Sequence, residues 1–349
     1  MSELALRMRQ WRGLRLPRGW LMPALAVALL LSCLVAIGIG PVRLSPAEVW
    51  SVLLSPLSGG SVQDQAVVWQ LRLPRLILAV LTGSTLALAG ASLQGLFRNP
   101  LADPGLIGVS SGAALAAGSV IVLVGVTAPV WLLPVAAFGG GLSAAIIVAR
   151  IAKVGSATSV ATLLLAGVAM TAIATAGLGL LSFLADDFAL RSLTFWTLGS
   201  LGRAGWRELV PALPMLILAV LVMLRMARPL NALLLGEAEA RHLGVNVERL
   251  KKMLLIWSTL GVGAAVSLTG IIGFVGLLVP HLIRLITGPD HRIVMQASAC
   301  GGALLMVWTD AMSRTLVAPA ELPIGIITSL IGGPFFIWLL IRQRQRIVG

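Results

Sequence analysis

The sequence predicts an all-α polytopic membrane protein with about ten transmembrane helices. Three observations carry that expectation. Of 349 residues, 58% are hydrophobic and 11% charged, and the mean hydropathy is +0.98, more apolar surface than a soluble core of this length can enclose. Apolar runs of spanning length recur along the whole chain. Basic residues crowd into alternate loops between those runs.

The first run, 21–40, follows a basic segment and could pass for a secretory signal. Its twenty or so residues exceed the roughly 7–15 of a signal core, and no Ala-x-Ala site follows, so it reads as the first span. A Ser-, Pro- and Gly-rich stretch, 42–69, then predicts an irregular outer loop before the run 76–96. The runs 107–126 and 130–149 follow a polar, doubly Pro-broken segment, and 160–184 begins after Ser159. The run 209–226 precedes the longest inner polar interruption, 227–252. Next come 253–268 and 271–286, short runs separated by little more than Thr269 and Gly270, and finally 294–310 and 324–341. The whole of 1–349 reads as a single transmembrane domain with no soluble appendage.

A net charge of +13 would suit a nucleic-acid binder, but placement decides otherwise. With ten spans and the N-terminus inside, Arg43, Arg72, Arg75, Arg191, Arg203, Arg207 and Arg314 fall outside, leaving nineteen of the 26 Lys and Arg on the inner side. By the positive-inside rule both termini lie in the cytoplasm. Cys33 and Cys300 both fall inside runs and read as small packing residues rather than a disulfide.

Few residues suggest chemistry. There is no Gly-x-x-x-x-Gly-Lys-Ser/Thr loop, so the chain has no recognisable ATP site of its own. The acids lie almost wholly in loops, and Asp310, one turn before Arg314, reads as a local ion pair rather than a proton relay. His242, His281 and His291 form no cluster at metal-ligand spacing, and His281 with Arg284 reads as a helix end, close to its terminal carbonyls. An ion-coupled carrier or a membrane-embedded enzyme would need ionisable residues that the runs lack.

The most informative segment is Gln94-Gly-Leu-Phe-Arg-Asn-Pro-Leu-Ala-Asp-Pro-Gly-Leu-Ile-Gly-Val-Ser-Ser-Gly112. Backbone groups freed by Pro and Gly must be satisfied by protein or by a water-filled cavity, so a break here suggests a permeation path or its gate. Together with Leu71-Arg-Leu-Pro-Arg75, Gly270-Ile-Ile-Gly-Phe-Val-Gly-Leu-Leu-Val-Pro-His-Leu-Ile-Arg284 and Glu321-Leu-Pro-Ile-Gly325, it resembles the permease subunits of bacterial ABC importers for iron chelates, haem and cobalamin, the FecCD type. The stretch 190–201 is most similar to the haem-importing branch; a ferric siderophore or cobalamin is the alternative substrate.

That resemblance implies a homodimer in the bacterial inner membrane, joined to two ATP-binding subunits and a periplasmic substrate-binding protein. It implies no cofactor in this chain, ATP and Mg being held by the partner ATPase. It maps docking of the binding protein onto Arg72, Arg75 and Arg314, and a cytoplasmic gate onto Asn99, Leu101, Ser159, Val160 and Ala161, of which Val160 departs from the more polar pattern. ATPase coupling falls on Ala238, Arg241, Leu243 and Gly244 within the loop 227–252. Two copies of Arg191 across an entrance would offer two guanidinium forks to the two propionates of one haem; the local alternative pairs Arg191 with Asp186 or Asp187.

Overall fold

The computed structural model describes residues 18–348 except 43, 56–60, 155–156 and 204. Arg7, Arg9, Arg12, Arg15 and Arg43 lie outside the described residues. Among the described residues, nine helices are long and apolar enough to cross a membrane.

Helix α1 (Arg18–Gly38) is mostly exposed along its length and leans on the bundle from outside. Two helical pieces follow where the sequence predicts an irregular loop: α2 (Pro46–Leu54) and α3 (Val62–Gln65). Each opens with a reciprocal cap, Ser45 with Glu48 and Ser61 with Asp64, the Ser-x-x-acid pattern that satisfies two orphan donors at once. A π-helical stretch, Ala66–Arg72, carries α3 without a break into α4 (Leu73–Leu96). The second span is therefore continuous for 35 residues from Val62 to Leu96, fourteen residues above the predicted start at Leu76.

Helix α4 is the axis of the fold, buried along almost its whole length. After the 97–108 break, with a 3-10 turn at Pro104–Ile107, come α5 (Val109–Ser119), α6 (Leu132–Ile151) and α7 (Val160–Leu184), with a two-residue β-hairpin, Lys153–Val154 and Ala157–Thr158, between the last two. The short α8 (Asp187–Thr197) lies between α7 and α9 (Trp206–Arg225). The polar interruption 227–252 holds α10 (Ala227–Leu233) and α11 (Glu237–His242). Four helices complete the chain: α12 (Val247–Thr269), α13 (Val275–Thr287), α14 (His291–Thr315) and α15 (Ile324–Val348).

The predicted span 271–286 is a half-length helix. Residues 270–274 are not helical, and the thirteen residues of α13 rise only about 20 Å at 1.5 Å each. The helix ends that meet beside this break are paired inside the protein: Ser200 N donates to Thr269 O at 2.7 Å, Ile324 N to Gly199 O at 2.9 Å and Gly325 N to Leu198 O at 2.9 Å. Close helix packing needs bare backbone at two crossings. A Cβ at Gly83 of α4 would collide with the Gly302 carbonyl of α14, and one at Gly90 with the Gly276 carbonyl of α13. Gly112 packs on Gly140 and Ala144 of α6, inside one subunit. Cys33 and Cys300 are free and half-buried.

Candidate functional site

In the segment 227–252, which the charge distribution assigns to the cytoplasm, α11 is bounded by Gly236 and Gly244, both at positive φ (134° and 82°), which turn the chain sharply into and out of the helix. Ala240 points inward and is buried, while Leu235 and Leu243 stand 66% and 63% exposed. Arg241 is exposed too and meets Glu237 at 3.6 Å. Leu235, Arg241 and Leu243 are thus among the exposed side chains of this segment. Beneath it, the buried Lys251 of α12 reaches Glu237 at 2.9 Å and Glu248 at 3.2 Å. Glu248 also accepts from Thr158 N at 3.3 Å, in the hairpin just before Ser159.

The two segments mapped to a gate are each shaped locally. Asn99 accepts from Leu101 N at 2.9 Å, and Ser159 caps α7 by accepting from Thr162 N at 3.3 Å. Ala161 and Asn99 are exposed; Leu101, Ser159 and Val160 are half-buried. The elements that carry them meet where Gly167 of α7 lies against the Leu106 carbonyl of the 3-10 turn so closely that a Cβ would not fit. Asp103 holds the turn by accepting from Gly105 N at 2.8 Å, and burial pushes its carboxyl above the usual range. Arg98, at φ 49°, donates to Leu233 O at 2.9 Å, tying the broken loop to the end of α10.

Arg284 departs from the expected helix-end role. It reaches across to α4, donating to Gln94 Oε1 at 2.6 Å and Ala91 O at 3.1 Å, while Gln94 Nε2 donates to Gly276 O at 3.2 Å. Its own terminal carbonyls are satisfied by backbone instead, Gly288 N donating to Arg284 O at 2.9 Å. His281 makes no hydrogen bond and faces the edge of Phe335 at 6.2 Å.

Arg72, Arg75 and Arg314, the residues mapped to docking, are engaged within the chain itself. Arg72, Arg75 and Arg314 are 6%, 8% and 6% exposed, so none presents its guanidinium to a partner at the surface. Arg72 donates to the carbonyls of Ile37 and Val42, and Arg314 to those of Ile39 and Ala36, holding the end of α1. Arg75 pairs with Asp310 at 2.6 Å and Glu321 at 2.9 Å, and Arg314 meets Asp310 at 3.1 Å. The expected local pair at Asp310 is present, enlarged by Arg75 from another helix. The cause is the length of the second span: beginning at Val62, it places both Arg72 and Arg75 inside the bundle.

Arg191 lies exposed on α8, and among the described residues no carboxylate lies within 4.0 Å of it. Asp186, its local alternative, instead caps α8 by accepting from Ala189 N at 2.7 Å. Phe188 and Phe195 are exposed beside it, whereas Trp196 is buried and anchors the helix.

A broken-helix bundle with a Gly-bounded inner helix is matched by the FecCD transport family model over residues 28–342. The chain belongs to the FecCD transport family. It is 44% identical over 335 residues to the hemin transport system permease protein HmuU of Yersinia pestis, covering 94% of this chain and 98% of that protein. It is 45% identical over 294 residues to the cobalamin import system permease protein BtuC of Halobacterium salinarum, covering 83% and 78%. A solved structure described as an inward-facing conformation of a metal-chelate type ABC transporter superposes with a TM-score of 0.82 at 31% identity, over 93% of this chain and 99% of that one.

This FecCD chain is therefore a multi-pass permease subunit of the ABC-importer kind, a role that calls for ATP-binding and substrate-binding partners and a membrane, and that is not itself catalytic. Sequence reasoning missed Lys251, Arg98 and Gln94, the polar residues that join its elements. One signal was available: a Lys within α12 three residues after Glu248 places a salt bridge at helical spacing. Arg98 and Gln94 gave none, because their partners are backbone carbonyls and an arginine far along the chain.

Proposed function

We propose that this chain is the permease subunit of a haem (hemin) importer, moving haem across the bacterial inner membrane by alternating access. One observation carries the substrate: Arg191, exposed and free of carboxylate partners on α8, with Phe188 and Phe195 exposed beside it. A cation flanked by aromatic surface is the chemistry that receives a flat macrocycle with carboxylate arms. In a homodimer two copies of Arg191 would take the two propionates. The 44% identity to a hemin permease supports the same reading. Cobalamin is a second reading, favoured by the 45% identity to a cobalamin permease.

The working assembly is a homodimer with two ATP-binding subunits, which hold ATP and Mg, and a periplasmic binding protein; both termini face the cytoplasm. Ala238, Arg241, Leu243 and Gly244 seat the ATPase, supported by the exposed Leu243 and Arg241. Asn99, Leu101, Ser159, Val160 and Ala161 of the two copies form the inner gate. Docking of the binding protein uses the outer surface that Arg72, Arg75 and Arg314 hold in place from beneath, including the half-exposed Glu321.

Uptake by proteoliposomes carrying the whole complex tests the substrate, with haem, cobalamin and a ferric siderophore supplied in turn. Haem uptake that falls in Arg191→Ala supports the assignment. ATPase activity stimulated by cobalamin or siderophore, with no response to haem, overturns it.

A further inference from the structure

A buried ammonium is costly unless it is paired, and Lys251 at 4% exposure is paired twice, to carboxylates on two different structural parts. Glu237 belongs to α11, the surface assigned to the ATPase, and holds Lys251 at 2.9 Å. Glu248, in the first turn of α12, holds Lys251 at 3.2 Å through one oxygen and takes Thr158 N at 3.3 Å through the other. Thr158 is followed directly by Ser159, which caps the first turn of α7. A second link leaves the same inner face: Arg98 donates to Leu233 O at 2.9 Å, and Asn99 is the next residue. The segment before Ser159 is thus joined to α11 through Glu248 and Lys251, and the segment before Asn99 is bonded to α10, the short helix just ahead of α11.

We propose that Lys251 is the positioning residue that transmits displacement of α11 to the gate, through Glu237, Lys251, Glu248 and the Thr158 backbone, with Arg98 and Leu233 serving the other gate segment. The inference rests on the coupling reading given above and adds the residues that execute it. An apolar side chain at 251 would fill the same space, but contact between apolar surfaces is non-directional and lets them slide. Two short ion pairs, each to a fixed partner, hold a register in which a shift of α11 moves the hairpin with it. The coupling is then carried by a polar network with discrete partners, the kind of element whose contribution is measured by breaking one link at a time.

The test uses the complete complex with a spin label at Ala161 of each copy, so that the label-to-label distance reports the gate with and without ADP-vanadate. In wild type the distance changes on trapping. In Lys251→Met and Glu248→Ala the ATPase still copurifies and hydrolyses at the wild-type basal rate, but the fraction of molecules whose gate distance changes falls by about tenfold, within the usual range of site-to-site coupling. Glu248→Ala leaves Lys251 paired with Glu237, so it keeps the test valid if Lys251→Met does not fold. Lys251→Arg, which keeps the charge, restores the response. A full gate response in Glu248→Ala or Lys251→Met, in a complex whose wild type holds its ATPase, overturns the relay alone. A wild-type chain that holds no ATPase overturns the coupling reading and the relay with it.

Discussion

Arg75 of α4 and Asp310 of α14 meet at 2.6 Å between the two helices, although 235 residues separate them in the chain. Asp310 is shared: Arg314, one turn later, meets its other oxygen at 3.1 Å. Two guanidinium groups gather around one buried carboxylate at the N-terminal end of the axis helix, and Arg75 reaches on to Glu321 in the loop before α15.

Asp310→Ala leaves both cations short of their common partner. Stability of the detergent-solubilised protein should fall by about 3–5 kcal/mol, the usual cost of stranding a buried charge. Thermal unfolding followed by size-exclusion chromatography measures it. An unchanged midpoint would mean that water already solvates the cluster.

Glycine positions separate into two groups. Gly83→Ala sets a methyl against the Gly302 carbonyl and should destabilise by about 1–3 kcal/mol through overpacking at the α4–α14 crossing. Gly139→Ala in α6 and Gly179→Ala in α7 meet open space and should stabilise by about 0.5–1 kcal/mol through helix propensity. Equal behaviour of the two groups would contradict the packing described for α4.

Topology is best read with reporters at exposed sites. Val62→Cys, at a position 85% exposed, should label from outside intact cells, and Leu243→Cys, at one 63% exposed, should not. Position 240 is a poor reporter because Ala240 is fully buried and would resist labelling on either side. Labelling of Leu243→Cys in intact cells would reverse the orientation.

Leu243→Asp should weaken ATPase association by roughly ten- to a hundredfold, the equivalent of losing about 1.5–3 kcal/mol of apolar burial. The bundle itself should keep its stability, since Leu243 is exposed in this structure. Copurification yield together with thermal stability checks both halves, and retained ATPase in Leu243→Asp would return α11 to a solvated loop.

Apolar runs matched helices almost throughout because hydropathy is a property of residues in chain order, visible without any partner. The exceptions have local causes. The capping pairs Ser45–Glu48 and Ser61–Asp64 were legible as Ser-x-x-acid spacing, yet the Ser, Pro and Gly around them suggested an irregular loop. The run 271–286 has the composition of a span, but Gly270, at φ 71°, ends α12 and lies against the Trp196 carbonyl of α8, where a Cβ would not fit.

By itself, the sequence determined a many-span helical membrane protein, the site of its broken loop and the family resemblance, all of which depend on residues close together in the chain. It also located the inner interruption whose centre folds as α11. Only the tertiary structure decided what the charged residues do. Whether Arg75 faces a partner or Asp310, whether Lys251 is a solvated lysine or a buried bridge, and whether Arg284 serves its own helix end or Gln94 depend on which helices pack together. Burial then settles each case, because a charge withdrawn from water must find its counter-charge or a carbonyl wherever the fold has placed one.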